Sequence, residues 1–306
     1  MKNKLTVSIG IPTFNGAANI GNLLSDLLIL NYGQVVLDSI TVHADGCTDG
    51  TQELVKKLSK KHSIIKLIDT KVRGGKSNGV NNLFNSFHTD IAIILDDDIR
   101  VSDPDFVWNM CKPIASGIAD LVSCPISPVV EKGVISRALR AGMSLKENAI
   151  RNLNHSQNIY ACRGPVRAHS KSLYKHLSLS SKALGDDMYT YLYAKTHGFK
   201  FLYTTDTLVY FQVPVSISDH RKQSIRFMQS QEKIEKEFNK EFVRHEFSVP
   251  LLFKLQQVIK TLPSEHMFLL VYLALYSFNW VQHKLFTVAV KDDKWNRIVI
   301  KAVKVA

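Results

Sequence analysis

Carboxylates in this chain collect where a fold could use them for chemistry. Asp96-Asp97-Asp98 follow Ile91-Ala92-Ile93-Ile94-Leu95, an unbroken apolar run of the kind found in a strand buried on both faces. Three adjacent acids repel one another. A divalent cation bridging to a phosphate would relieve that cost, since Mg²⁺ and Mn²⁺ take carboxylate oxygens and leave positions for phosphate oxygens. A solvated acidic turn ahead of the next helix is the alternative reading. Asp186-Asp187 stand after Gly185 at the start of a helical pattern, where unpaired N–H groups favour anions, as catalytic groups or as plain caps. Gly74-Gly75-Lys76-Ser77 precede another helix and offer N–H groups and an ammonium to a phosphate. The loop lacks Walker A spacing and could equally be a tight turn. Asp45-Gly46 makes a further candidate turn.

Most of these loops fall at successive strand ends. Strand patterns cover 5–11, 39–44, 64–68 and 91–95, and helical spacing fills the intervals, with Ile20, Leu23, Leu24, Leu27 and Leu28 on the first inner face. Thr48 or Asp49 can cap the second helix, and the third runs through Leu83, Phe84 and Phe87. Strand alternating with helix predicts βαβ units and a parallel sheet. Such sheets bind ligands outside the carboxyl ends of their strands, where the acids stand. Further on, the patterns predict helices over 106–114, 134–152 and 188–196. Strands are expected over 119–124, 159–162, 200–203 and 207–211.

A chain of 306 residues with 45% hydrophobic and 22% charged content can build one large α/β domain with appendages. Its net charge of +12 favours an anionic partner. The basic residues are dispersed, without an aromatic-interleaved stripe, which argues against a nucleic-acid-binding module. Cys47, Cys111, Cys124 and Cys162 have no metal-ligand spacing and read as reduced packing residues. The N-terminus lacks a signal peptide's apolar region.

The order of motifs resembles a family 2 glycosyltransferase of GT-A fold over most of residues 5–230. Pro12-Thr13-Phe14-Asn15 are similar to the family's opening nucleotide loop, and Val42-His43-Ala44-Asp45-Gly46-Cys47-Thr48-Asp49-Gly50-Thr51 to its D-D-G-S-T-D-G-T segment, with Ala44 in place of the first aspartate and Cys47 in place of serine. The resemblance implies that Asp45 contacts the base and that Gly75 and Lys76 lie along the donor nucleotide. Asp96-Asp97-Asp98 resemble the D-x-D motif. By that likeness Asp98 ligates Mg²⁺ or Mn²⁺, Asp96 sits by the ribose and metal shell, and Asp97 joins the donor contacts. Gly185-Asp186-Asp187 are similar to the motif whose last aspartate is the catalytic base, here Asp187, with Asp186 beside the acceptor. Gln223-Ser224-Ile225-Arg226-Phe227 look like Q-x-x-R-W with Phe227 in place of tryptophan, which places Gln223 and Arg226 near acceptor or diphosphate, together with Arg163. The implied fold is α/β, a mixed and mainly parallel sheet flanked by helices, with a nucleotide half (1–100) and an acceptor half (101–230).

What the resemblance implies is an inverting, metal-dependent enzyme. It would move a sugar from a nucleotide-diphospho-sugar, a UDP-sugar by preference, to a hydroxyl of a sugar or lipid-linked acceptor. A Mg²⁺-dependent nucleotidyltransferase is the competing enzyme class. Residues 231–306 read as a helical, hydrophobic extension. Leu251, Leu255, Val258, Ile259 and Leu262 have the spacing of an interfacial helix, or of a helix docked on its own domain. The uncharged run 267–282 falls short of the roughly 20 residues that span a bilayer. Monotopic or re-entrant attachment is therefore expected, with a buried core helix as the alternative. The protein reads as cytoplasmic, peripheral at most on the cytoplasmic membrane face.

Overall fold

The computed structural model describes residues 4–129, 133–180, 185–212 and 217–285. Its first half is built as the alternation predicts: β1 (Thr6–Thr13), α1 (Ile20–Leu28), β2 (Val36–Asp45), α2 (Thr51–Lys61), β3 (Ile65–Thr70), α3 (Lys76–Ser86) and β4 (Ile91–Leu95). β2 and β4 both pair with β1 in parallel, and β3 continues the sheet beyond β2. Parallel strands must be joined by crossovers, so each helix returns the chain and every strand ends on the same side.

The unbroken apolar run of β4 has a direct structural cause. Ile91, Ile93 and Leu95 enter one core with Ile20, Leu24, Val55, Phe106 and Met110, while Ala92 and Ile94 enter a second with Leu83, Phe84, Tyr174 and Tyr191. Both faces of the strand are buried because successive side chains point to opposite sides. Helices cover the two faces.

The second half completes the architecture with β5 (Ile99–Arg100), α4 (Phe106–Ala115), β6 (Leu121–Ser123), β7 (Ile126–Val129), α5 (Val134–Asn152), β8 (Val166–Ser170), α6 (Lys171–Tyr174), α7 (Asp186–Thr196), β9 (Phe201–Tyr203) and β10 (Val209–Gln212). The main sheet has seven strands in the order β3-β2-β1-β4-β8-β6-β9, and β5-β10-β7 form a small second sheet. β8 runs antiparallel to both β4 and β6, which makes the sheet mixed and mainly parallel.

One expectation needs correction here. The strand expected at 159–162 is a short 3-10 turn, Ile159–Ala161. The Asn158 side chain accepts from Ala161 N–H and donates to the Ile150 and Leu153 carbonyls, which pulls the apolar residues into a turn instead of a ladder. The strand lies five residues later, as β8, and carries Arg167 and His169 fully inside. Polar residues at buried positions hid it from pattern reading. α8 (Ile217–Ile234) and α9 (Lys240–Phe247) lead into α10, which runs from Leu251–Leu285 as one 35-residue helix continuing through Pro263. It packs on α5, where Gly142 leaves room for the Tyr272 ring.

Candidate active site

The site begins at the ends of β1, β2 and β4. β1 continues through Pro12 to Thr13, and the Thr13 hydroxyl donates to the carboxylate of buried Asp97. That bond ties the first loop to the acidic turn and commits Asp97 to the fold. β2 ends at Asp45, whose two oxygens accept the Gly74 and Gly75 N–H groups at 2.7 Å each. Asp45 therefore fixes the glycine loop. Gly75 adopts φ +89°, which only glycine takes without strain, and the chain then turns straight into α3 at Lys76. Arg73 stacks 3.7 Å over the Phe14 ring, a contact between two loops that sequence motifs did not signal. Asn15 takes a left-handed conformation (φ 54°) and accepts the Thr48 N–H through its side chain.

These residues enclose a small cleft lined by Pro12, Thr13, Phe14, Asp45, Gly75, Lys76 and Gly79. Six of the seven are expected donor contacts. A larger hollow of about 390 Å³ opens elsewhere, against Asn152, Leu153, His245 and Phe253, among none of the acids discussed.

Lys76 joins the end of β4 to the start of α7. Its ammonium lies 2.6 Å from Asp96 at the end of β4 and 3.2 Å from Asp186 at the start of α7. Arg167, 1% exposed on β8, donates to Asp186 from the other side, and also to the carbonyls of Arg163 and Gly164. Burial would raise the Asp186 carboxyl, but the Lys76 and Arg167 charges outweigh it and hold the group well below the usual range. The same two acids keep Lys76 protonated, overriding a burial effect that would lower it. Asp187 differs from its neighbour. Burial and then the Asp186 charge raise its pKa, with Arg167 and Lys76 opposing. One carboxylate is thus held as an anion while the adjacent one is more easily protonated.

Asp187 sits against a turn that also meets the acidic strand end. A Cβ placed on Gly164 would lie 3.2 Å from Asp187 Oδ2, and the neighbouring Pro165 carbonyl accepts the Asp96 N–H at 3.0 Å. The acidic end of β4 and the start of α7 therefore meet the same Gly164–Pro165 turn. Arg163, expected near diphosphate or acceptor, is paired with Glu147 of α5 at 3.3 Å. Glu147 also accepts from Tyr203. Gln223 and Arg226 are exposed on α8.

Asp98 is half-buried beyond Asp97. Among the described residues no three His, Cys, Asp or Glu side chains gather into a metal cage. The hard oxygens of Asp98 and Asp96 do suit Mg²⁺ or Mn²⁺, which commonly take one or two carboxylates and complete their shell from substrate phosphates. The donor set fits a cation that arrives with a diphosphate. It does not fit one caged by protein alone.

The model of the family described as glycosyltransferase like family 2 matches residues 5–230, and the chain belongs to that family. Solved structures agree on the fold. A mannosyltransferase from Pyrobaculum calidifontis, in complex with GDP-Man and Mn²⁺, superposes with a TM-score of 0.61 at 17% identity, covering 93% of this chain and 76% of that one. S. aureus TarS 1-349 in complex with UDP-GlcNAc gives 0.53 at 16% identity over 94% of this chain and 77% of that one. Glucosyl-3-phosphoglycerate synthase from Mycobacterium tuberculosis, in complex with Mn²⁺, UDP-Glc and phosphoglyceric acid, gives 0.53 at 16% identity over 75% and 78%. No curated protein matches the chain in sequence. The chain is a glycosyltransferase by family and has the GT-A fold of these structures.

Proposed function

We propose that the protein is an inverting glycosyltransferase that transfers a sugar from a nucleotide-diphospho-sugar to a hydroxyl of a glycan or lipid-linked acceptor. The observation that carries this reading is the meeting of Asp96 and Asp186 on the ammonium of Lys76, which also lines a cleft with Pro12, Phe14, Asp45 and Gly75. The nucleotide lies along that cleft, with Phe14, stiffened by Arg73, offering an apolar face to the base. Asp45 acts by holding the Gly74–Gly75 loop. Asp97 acts by anchoring Thr13, so neither it nor the Thr13 hydroxyl serves as a free donor contact.

The chemistry follows from charge. As the glycosidic bond to diphosphate breaks, negative charge grows on the leaving oxygens, and Lys76 lies where it offsets that growth. A divalent ion held by Asp98 and Asp96 would add Lewis-acid stabilisation of the same oxygens when bound. Asp187 takes the proton of the acceptor hydroxyl as its oxygen attacks the anomeric carbon from the face opposite the diphosphate. A single displacement inverts that centre. Solved relatives of the same fold are complexed with GDP-Man, UDP-GlcNAc or UDP-Glc, which supports a nucleotide sugar as donor without choosing the base.

Incubating the protein with a panel of UDP- and GDP-sugars, with and without Mn²⁺ or Mg²⁺, tests the proposal. The expected result is metal-stimulated release of nucleoside diphosphate from one donor, increased by the right acceptor. Release of pyrophosphate would favour the nucleotidyltransferase reading instead. In Asp98→Asn, calorimetry should show donor binding that no longer strengthens when Mn²⁺ is added.

A further inference from the structure

The turn from Arg163 to Pro165 is bonded to several of the charged groups gathered around Lys76. The Pro165 carbonyl accepts the Asp96 N–H, and Gly164 packs against the Asp187 carboxylate. The carbonyls of Arg163 and Gly164 accept from Arg167, which also donates to Asp186. Movement of this turn would therefore move the end of β4 relative to the start of α7. Displacements of about 1 Å at reacting groups can cost about 10²-fold in rate, so whatever holds the turn matters to the chemistry.

Two side chains from other elements hold it. Ser123 Oγ, at the end of β6, accepts the Arg163 N–H at 3.0 Å and donates to the Val166 carbonyl at 2.9 Å. Glu147 of α5 faces the Arg163 guanidinium through Oε2, while its Oε1 accepts from the Tyr203 hydroxyl at 2.7 Å and from Arg151 at 2.8 Å. The Arg163 and Glu147 side chains are only 12% and 19% exposed. A pair so shielded from water is screened little and is costly to break. The same end of α5 is fixed in turn. No described helix is long and apolar enough to cross a membrane, and α10 instead accepts hydrogen bonds from α5, Asn148 to Thr261 and Asn152 to Gln257.

We propose that Glu147 is a positioning residue for transfer: by holding Arg163 it fixes the Gly164–Pro165 turn, and with it the place of Asp187 relative to Asp96. The role rests on the reading of Asp187 as the base. Without Glu147 the Arg163 charge is left buried and unpaired, a state relieved by moving the side chain toward water and the turn with it. Arg163 is then a strut and not a ligand for diphosphate or acceptor. Its Nε is buried with no hydrogen-bond partner among the described residues, so direct contact with substrate is the rival to be separated by experiment.

The test compares Glu147→Met, Arg163→Met and the double variant in the full chain, using the donor that the wild-type protein turns over. In each, kcat should fall by about 10–10²-fold while the donor KM stays within a few-fold. The double variant should be no worse than either single one, because the two residues act as a unit. Glu147→Gln keeps an oxygen for Arg163 and Tyr203 and should recover part of the loss, and it carries the test if Glu147→Met does not fold. Hydrogen exchange in the same proteins should show the Asp96 N–H less protected, with the amides of β1 unchanged. Exchange does not depend on turnover, so failure of this role is distinguishable from failure of Asp187 as the base. Unchanged kcat in Glu147→Met overturns the proposal, as does unchanged Asp96 exchange. Arg163→Met with a raised KM and wild-type kcat overturns it too, since the guanidinium would then be meeting substrate.

Discussion

Lys76 and Asp186 meet at 3.2 Å, so the first turn of α3 is pinned to the first turn of α7, 110 residues further along the chain. Asp187 is placed by that contact, because it is the next residue on a helix whose start cannot shift without breaking the ion pair. The consequences can be measured.

Asp187→Asn removes the group proposed to accept the hydroxyl proton but keeps its shape and the Met188 N–H contact. Turnover should fall by about 10²–10⁴-fold, the usual worth of a general base. Nucleotide affinity by calorimetry should stay within a few-fold. A variant that retained wild-type turnover would remove Asp187 from this role.

The pH profile follows from the raised pKa of Asp187. Transfer needs the carboxylate, so kcat/KM falls as pH drops through that value, and the acid limb should lie above the ordinary aspartate value of about 3.9. Arg167 opposes the rise, so Arg167→Met should move the limb to higher pH in protein shown to be folded by circular dichroism. A limb that stayed put would mean that Arg167 shapes the fold without tuning the base.

Lys76→Met leaves Asp96 and Asp186 partly uncompensated. Breaking a buried pair costs about 3–5 kcal/mol, measurable as lower stability in urea. The sign with pH is fixed by Asp186, whose folded pKa is depressed. The stabilisation is therefore present above about pH 4 and is lost as pH falls through the depressed value. The gap between wild type and variant should narrow in acid.

Thr13→Val should destabilise by about 1–3 kcal/mol, because buried Asp97 loses the Thr13 hydroxyl that donates to it. Thr13→Ser, which keeps the hydroxyl, should restore most of that loss in thermal unfolding. Equal stability of the two variants would show that the bond carries little.

The sequence by itself determined the elements that depend on local pattern. Helix α5 spans Val134–Asn152 as its spacing predicts, and β4 ends where the acids begin, because periodicity and strand-end chemistry are written into neighbouring residues. The places of the loops proposed to hold the donor were legible for the same reason: Pro12, Asp45 and Lys76 each stand at a strand end or helix start.

Only the tertiary structure decided what these side chains do to one another. Asp96 and Asp97 are adjacent, yet one faces Lys76 and the other is sealed against Thr13, because alternate residues leaving a strand diverge. Arg167 gave no sign of its place, since a buried cation is tolerable only where a distant acid, here Asp186, has been brought to meet it. The outward leucines of α10 were visible as a pattern. Which face the domain would take was not, because that depended on partners such as Asn148, Asn152 and His220, supplied by distant parts of the chain.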